Sequence, residues 1–241
     1  MKTLRNHRLL EIGLALCVLA GVASGSFLGA RHFIRGGAAE AQPPTEEEIT
    51  ERARQFIDAT EAERNKPPFS GVFNGIRIVP PSPDDPASQP KTPCWYAREA
   101  GRENPQVLPI EATVGTPFEV SPSYLPPGAV EKLDLDEGEG PVVACDGKLS
   151  YSQRMWFFPD TTGGYVAITK IGGEHAVEGR ASADRLQAIT VRGKPAVAIL
   201  PLTPDGEGPG GVIIAEDFGI TVVGGVEFPI EVYIAVAEGL K

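Results

Sequence analysis

Positions 12–30 carry no charged residue, a run of 19. As an α-helix rising 1.5 Å per residue, the run spans about 28 Å, close to the about 30 Å hydrocarbon core of a bilayer. No water-soluble core of this size asks for such a segment, so it divides the chain. Lys2, Arg5 and Arg8 stand on one side, with Arg31, His32 and Arg35 on the other. The small excess of basic residues at the start favours an N-terminus inside and the remainder outside, with Arg31 and Arg35 reaching for headgroups. The division reads as a cytoplasmic N-terminus (1–8), a transmembrane anchor (9–31), a small-residue and proline linker (32–44) and an extracytoplasmic domain (45–241). A cleaved signal peptide is the alternative, with an apolar core at 12–22 and Ala23, Ser24 and Gly25 as the cleavage site. Either way the body is delivered to the same side, tethered or secreted. Lipidation at Cys17 is disfavoured, because Leu16 precedes it where a small residue is wanted.

The body must fold from a sequence rich in breakers. The chain holds 28 glycines and 23 prolines, which disfavours a helical bundle and suits short strands joined by turns. Residues 1–35 carry a charge of +4 against -10 for the whole chain, so the rest carries -14. A body this acidic repels phosphate backbones and excludes nucleic acid as a partner. Of the three cysteines, Cys17 lies in the apolar run and Cys94 and Cys145 lie in the body. In an oxidising compartment Cys94 and Cys145 form a natural bridge.

Thr45 followed by Glu46, Glu47 and Glu48 is a capping box with acids at the positive end of a helix dipole. Ile49, Ala53, Phe56, Ile57 and Thr60 then fall on one face, expected to dock on the domain, before Pro67 ends the helix. Positions 80–93 hold six prolines and read as an exposed loop, since proline brings no backbone donor to a sheet. Strand-like runs follow at 94–98, 129–135, 142–145, 151–158, 165–171, 190–191, 196–202, 212–215 and 220–223. Turns are expected at Asp146-Gly147, Gly163-Gly164, Arg192-Gly193 and Asp217-Phe218-Gly219. Pro229 opens a short C-terminal helix with Ile230, Tyr233, Ile234 and Ala237 on one face. The fold class is α+β: after the transmembrane helix, a mainly antiparallel sheet flanked by an N-terminal and a short C-terminal helix.

Pro122-Ser123-Tyr124-Leu125-Pro126-Pro127-Gly128 resembles the P-x-Y-L-P-x-G signature of the DUF4367-type domain. The tail from Ile189 to Leu240 is similar too: Val191-Arg192-Gly193-Lys194, two strands turning at Asp217-Phe218-Gly219, and a helix ending Ala237-Glu238-Gly239-Leu240. The tail departs from the family where a Trp often stands in the penultimate strand and this chain has Ala215. The resemblance implies a bacterial extracytoplasmic β-rich domain, often behind a membrane helix, with no established catalytic residues.

Chemistry-bearing constellations are sparse. His175 is the one histidine of the domain 45–241, in the loop 172–175, and the body has no G-x-S-x-G elbow. The loop 206–211 lacks the Lys and Ser/Thr of a phosphate cradle. Asp134, Asp136, Glu137 and Glu139 form a weak calcium candidate, but Gly138 interrupts the spacing of an EF-hand. No cofactor is implied. Trp95, Tyr96, Trp156, Phe157 and Phe158 are the best candidates to line an apolar site on a half-open sheet. The expected function is a membrane-anchored, non-enzymatic binding or sensing module, its partner an extracytoplasmic protein or apolar small molecule. The alternatives are a carrier of a lipid or other apolar ligand, and an unrecognised hydrolase.

Overall fold

The computed structural model describes residues 45–81, 105–132, 142–159, 161 and 163–241. The apolar run, the linker, most of the proline-rich loop, Cys17, Cys94, Trp95, Tyr96 and the acidic group Asp134, Asp136, Glu137 and Glu139 lie outside the described residues. Among those described, no helix is long and apolar enough to cross a membrane.

The body is α+β. It begins with helix α1 (Glu46–Arg64) and ends with helix α2 (Ile230–Glu238). Among the described residues between them run twelve strands: β1 (Gly71–Phe73), β2 (Ile76–Val79), β3 (Gln106–Leu108), β4 (Val130–Lys132), β5 (Val142–Cys145), β6 (Lys148–Phe157), β7 (Tyr165–Gly172), β8 (Ala176–Glu178), β9 (Leu186–Val191), β10 (Lys194–Ile199), β11 (Pro209–Glu216) and β12 (Gly219–Val226). Nine form one antiparallel sheet, in the order β3-β5-β6-β7-β12-β11-β10-β9, with β4 also paired to β6. The other three, β1-β2-β8, make a small sheet.

The pleat sorts the side chains of the large sheet between two cores. On one face Val166, Ile168, Val212, Ile214 and Val223 pack against Val232, Tyr233, Val236 and Ala237 of α2. On the other, Leu186, Val197, Ile213 and Ile220 pack under Ile76 and Ile78 of the small sheet. Glycine is obligatory at one crossing: a Cβ on Gly225 would stand 1.9 Å from the Tyr165 carbonyl oxygen. The expected turns at Asp146-Gly147 and Arg192-Gly193 form with positive φ at both residues, as two-residue hairpins require.

Two expectations are corrected. The capping box of α1 forms as read, with Thr45 N donating to Glu48 Oε2 at 2.8 Å. Its apolar face, however, is not buried against the described residues: Ile57 is 55% exposed, Ile49, Ala53, Phe56 and Thr60 are half-buried, and none of the helix's described side chains is buried. A stripe of five apolar or small positions interrupted by acids is too narrow to exclude water against a sheet already covered. The strand edges also shift. The run expected at 196–202 is Lys194–Ile199, and that at 212–215 extends to Pro209–Glu216 through glycines read as loop. Strands β1, β2, β3 and β8 are additional. The signal for the first pair was Asn74-Gly75, whose φ values of 46° and 83° form a hairpin turn.

Candidate functional site

A strap of chain between β3 and β4 lies over the α2 side of the large sheet without pairing as a strand. Sheet side chains take up its carbonyls instead. Ser152 Oγ donates to the Phe118 oxygen at 2.6 Å, Lys170 Nζ to Pro117 at 2.9 Å and Arg154 Nη1 to Val120 at 2.7 Å. Arg154 also holds Glu131 with both oxygens, at 2.6 and 2.7 Å, and that pairing raises its pKa. Under the strap is a cleft of about 160 Å3, lined by Ile110, Glu111, Thr113, Val114, Glu119, Val120, Ser121 and Arg154. The strap's last turn meets the chain's end: Pro122 bridges Leu240, and Ser123 N donates to the Gly239 oxygen at 2.8 Å. The two stretches that carry the sequence resemblance therefore touch.

A polar row crosses the same sheet face near its hairpin turns. Lys194, Glu216, Thr221, Lys170 and Ser152 stand on neighbouring strands facing one way. Glu216 is buried and accepts from Arg192, Lys194 and Thr221. Burial pushes its carboxyl up, but the Lys194 hydrogen bond and the charges of Arg192 and Lys194 outweigh this and hold it low. Lys170 is buried as well, which lowers its pKa against the pull of Glu216. Here the charges satisfy one another. A general base needs a free lone pair facing open space, and this carboxylate has its oxygens committed. His175 is exposed, and its Nε2 lies 2.7 Å from the Glu216 backbone oxygen, tied to a carbonyl rather than to an acid.

The aromatic candidates divide by strand parity. Trp156 and Phe158 are 5% and 4% exposed in the core under α2, with Phe158 edge-on to Phe228 at 4.7 Å. The Arg154 guanidinium covers the Trp156 ring at 5.2 Å. Phe157 turns the other way. With Tyr151, Gln153 and Met155 of β6 and Tyr165 and Ala167 of β7 it forms a half-exposed field beyond the cover of the small sheet. Phe157 and Tyr165 are cross-strand partners with ring centroids 6.0 Å apart, and Lys132 Nζ stands 5.5 Å over Phe157. Tyr151 donates to Gln153 within the field. The structure thus separates Phe157 from the Trp156 and Phe158 with which the sequence grouped it. The outward residues Tyr151, Met155 and Tyr165 were missed, although alternation along 151–157 carries their signal.

Among the described residues no group of three His, Cys, Asp or Glu side chains is placed to hold a metal ion. Cys145 is disulfide-bonded. No family model matches the chain, and neither a curated protein nor a solved structure matches it.

Proposed function

We propose that this chain is a membrane-tethered extracytoplasmic module that binds a partner through the half-buried aromatic face of β6 and β7 and catalyses no reaction. The observation that carries the reading is the field of Tyr151, Met155, Phe157 and Tyr165, each only half-buried on the face opposite the filled core under α2. Aromatic and methionine side chains with a nearby cation are enriched where proteins meet other proteins. The carrier reading is less well supported. The cleft under the strap, at about 160 Å3, is below the about 300–1,000 Å3 usual for small-molecule sites, and is rimmed by Glu111, Glu119 and Arg154. A photo-crosslinking residue in place of Phe157 or Tyr165 should capture a discrete higher-mass adduct in intact cells, while one at Glu111 should not. Equal labelling at all three positions would sink the reading.

The location rests on the 12–30 run and on the oxidised state of Cys145, since disulfides persist outside reducing cytosol. We assign Cys94 as the partner, because Cys17 lies within the apolar run. Peptide mapping without reduction should recover residues 94 and 145 in one linked fragment. The full chain should sediment with membranes and lose its body to external protease. Recovery of a soluble chain beginning near Ser26 would replace the anchor by a signal peptide. Kinship with the DUF4367-type domain is supported by the meeting of Pro122 and Ser123 with Gly239 and Leu240.

A further inference from the structure

The hairpin of β1 and β2 turns at Asn74-Gly75, with φ values of 46° and 83°. Both residues are exposed, and a Cβ added to Gly75 would meet nothing within 4 Å among the described residues. Asparagine is a thermolabile residue, and a following glycine leaves its carboxamide open to attack by the backbone. The Gly75 nitrogen adds to the Asn74 carboxamide carbon, the Cγ–Nδ2 bond breaks, and ammonia leaves a five-membered imide. Water then opens the imide at one of its two carbonyls, giving an aspartyl or an isoaspartyl residue. Water is the only co-reactant.

The native turn holds this reaction off in two ways. A residue in the left-handed region has ψ of about +30 to +60°. That angle turns the following nitrogen away from the residue's own Cβ, so Gly75 N stands on the wrong side to reach Cγ. The leaving nitrogen is held as well. Asn74 Nδ2 donates to the Ile189 oxygen at 3.0 Å and to the Ala196 oxygen at 2.8 Å. Ile189 and Ala196 face each other across β9 and β10, so one amide pins the hairpin tip to the large sheet. Beside it Phe73 packs on the core under the small sheet, edge-on to Phe69 at 5.8 Å.

We infer that Asn74 is a deamidation site that the fold keeps shut, and that it reacts when the tip of the β1–β2 hairpin lifts off β9 and β10. The product cannot be pinned again. A carboxylate has no donor, and here it would face two carbonyl oxygens. The isoaspartyl form also adds a methylene to the main chain of a two-residue turn. A single lifting event is thereby recorded covalently, and it loosens the cover over Ile213 and Ile220. The site uses none of the residues of the aromatic field on β6 and β7.

The test follows residue 74 by peptide mass mapping. The full chain in membranes is aged at mildly alkaline pH beside the same chain aged in denaturant. Two hydrogen bonds and the turn should make conversion at least about tenfold slower in the native chain. Phe73→Leu should narrow that ratio and Phe73→Ala should narrow it further, each variant being referred to its own denatured rate. Amide exchange in β11 and β12 reports whether the large sheet stays folded; should Phe73→Ala unfold it, Phe73→Leu carries the comparison. Asn74→Asp should exchange faster across β2 than Asn74→Gly, which keeps the turn and only drops the amide. The inference is overturned by equal native and denatured rates, or by a ratio that the Phe73 variants leave unchanged. Asn74→Asp exchanging no faster than Asn74→Gly would overturn the irreversible loosening.

Discussion

Helix α1 is well made and buries none of its described side chains; helix α2 is poorly made and has a whole sheet behind it. α1 runs 19 residues with a complete capping box, and Arg54 pairs with Glu51 at 3.1 Å on its surface. Yet its hold on the body is a polar knot at its last turn. Glu63 accepts from Ser182 N at 2.8 Å and Oγ at 2.6 Å and from Arg185 Nη1 at 3.3 Å, while Lys66 reaches Asp184 at 2.6 Å. α2 has nine residues, begins at Pro229 and has no side-chain cap, but buries Val232, Tyr233, Val236 and Ala237. Local design can make a helix without placing it, and burial can place a helix that local design would not sustain.

The contrast breaks most sharply at Tyr233, which is fully buried. Tyr233→Ala should destabilise the whole body by about 3–5 kcal/mol in a denaturant titration, the usual cost of removing a large buried ring. Glu63→Ala should cost about 1–3 kcal/mol, because it strips an acceptor from the buried Arg185. The loss should fall on α1, seen as faster amide exchange across the helix with the sheet still protected. If α2 exchanges faster instead, the two helices are coupled and the contrast fails.

Acid should separate the helices without mutation. Burial raises the Glu63 carboxyl, but hydrogen bonds from Ser182 and the charge of Arg185 carry it below its usual 4.5. The Lys66 and Ser182 hydrogen bonds hold Asp184 at about 2 rather than 3.8. Carboxyls depressed by folding stabilise at pH above their unfolded values and lose that contribution as pH falls through the folded ones. Between about pH 4.5 and 2, therefore, exchange in α1 should rise before exchange in α2. Smallest is Phe56→Ala. With Phe56 half-buried on a helix none of whose described side chains is buried, it should shift stability by less than about 1 kcal/mol. A loss of several kcal/mol would mean that the apolar stripe of α1 is covered after all.

The legible parts of this molecule were those that one stretch of chain decides for itself. The cap at Thr45, the turns at Asp146-Gly147 and Arg192-Gly193 and the strand 142–145 follow from residues within a few positions of one another. What depends on distant chain was not legible. The stripe of Ile49, Phe56 and Ile57 looks like a docking face because nothing local records that the sheet beneath is already occupied by β1, β2 and β8. The aromatic field needed the parity of β6 together with its pairing to β7, so Phe157 joined the wrong group until the strand was built. β2 and β8 pair in parallel across about a hundred residues, which no pattern within either strand announces.

The placement of β12 has a consequence for how the chain acquires its structure. It is the last strand in sequence, yet it lies between β7 and β11. A ribosome that has delivered everything through Phe218 has made two local meanders that cannot meet: β5 to β7 on one side and β9 to β11 on the other. β7 then waits with a naked border until the final strand arrives to weld both halves, with α2 following at once to seal the joint. Such late, non-local closure lengthens the search for the native state and leaves sticky surface on show while it lasts. Chains stalled or truncated before Gly219 should therefore clump, and escorts that shield nascent β7 should matter more to yield than anything at the N-terminal helix.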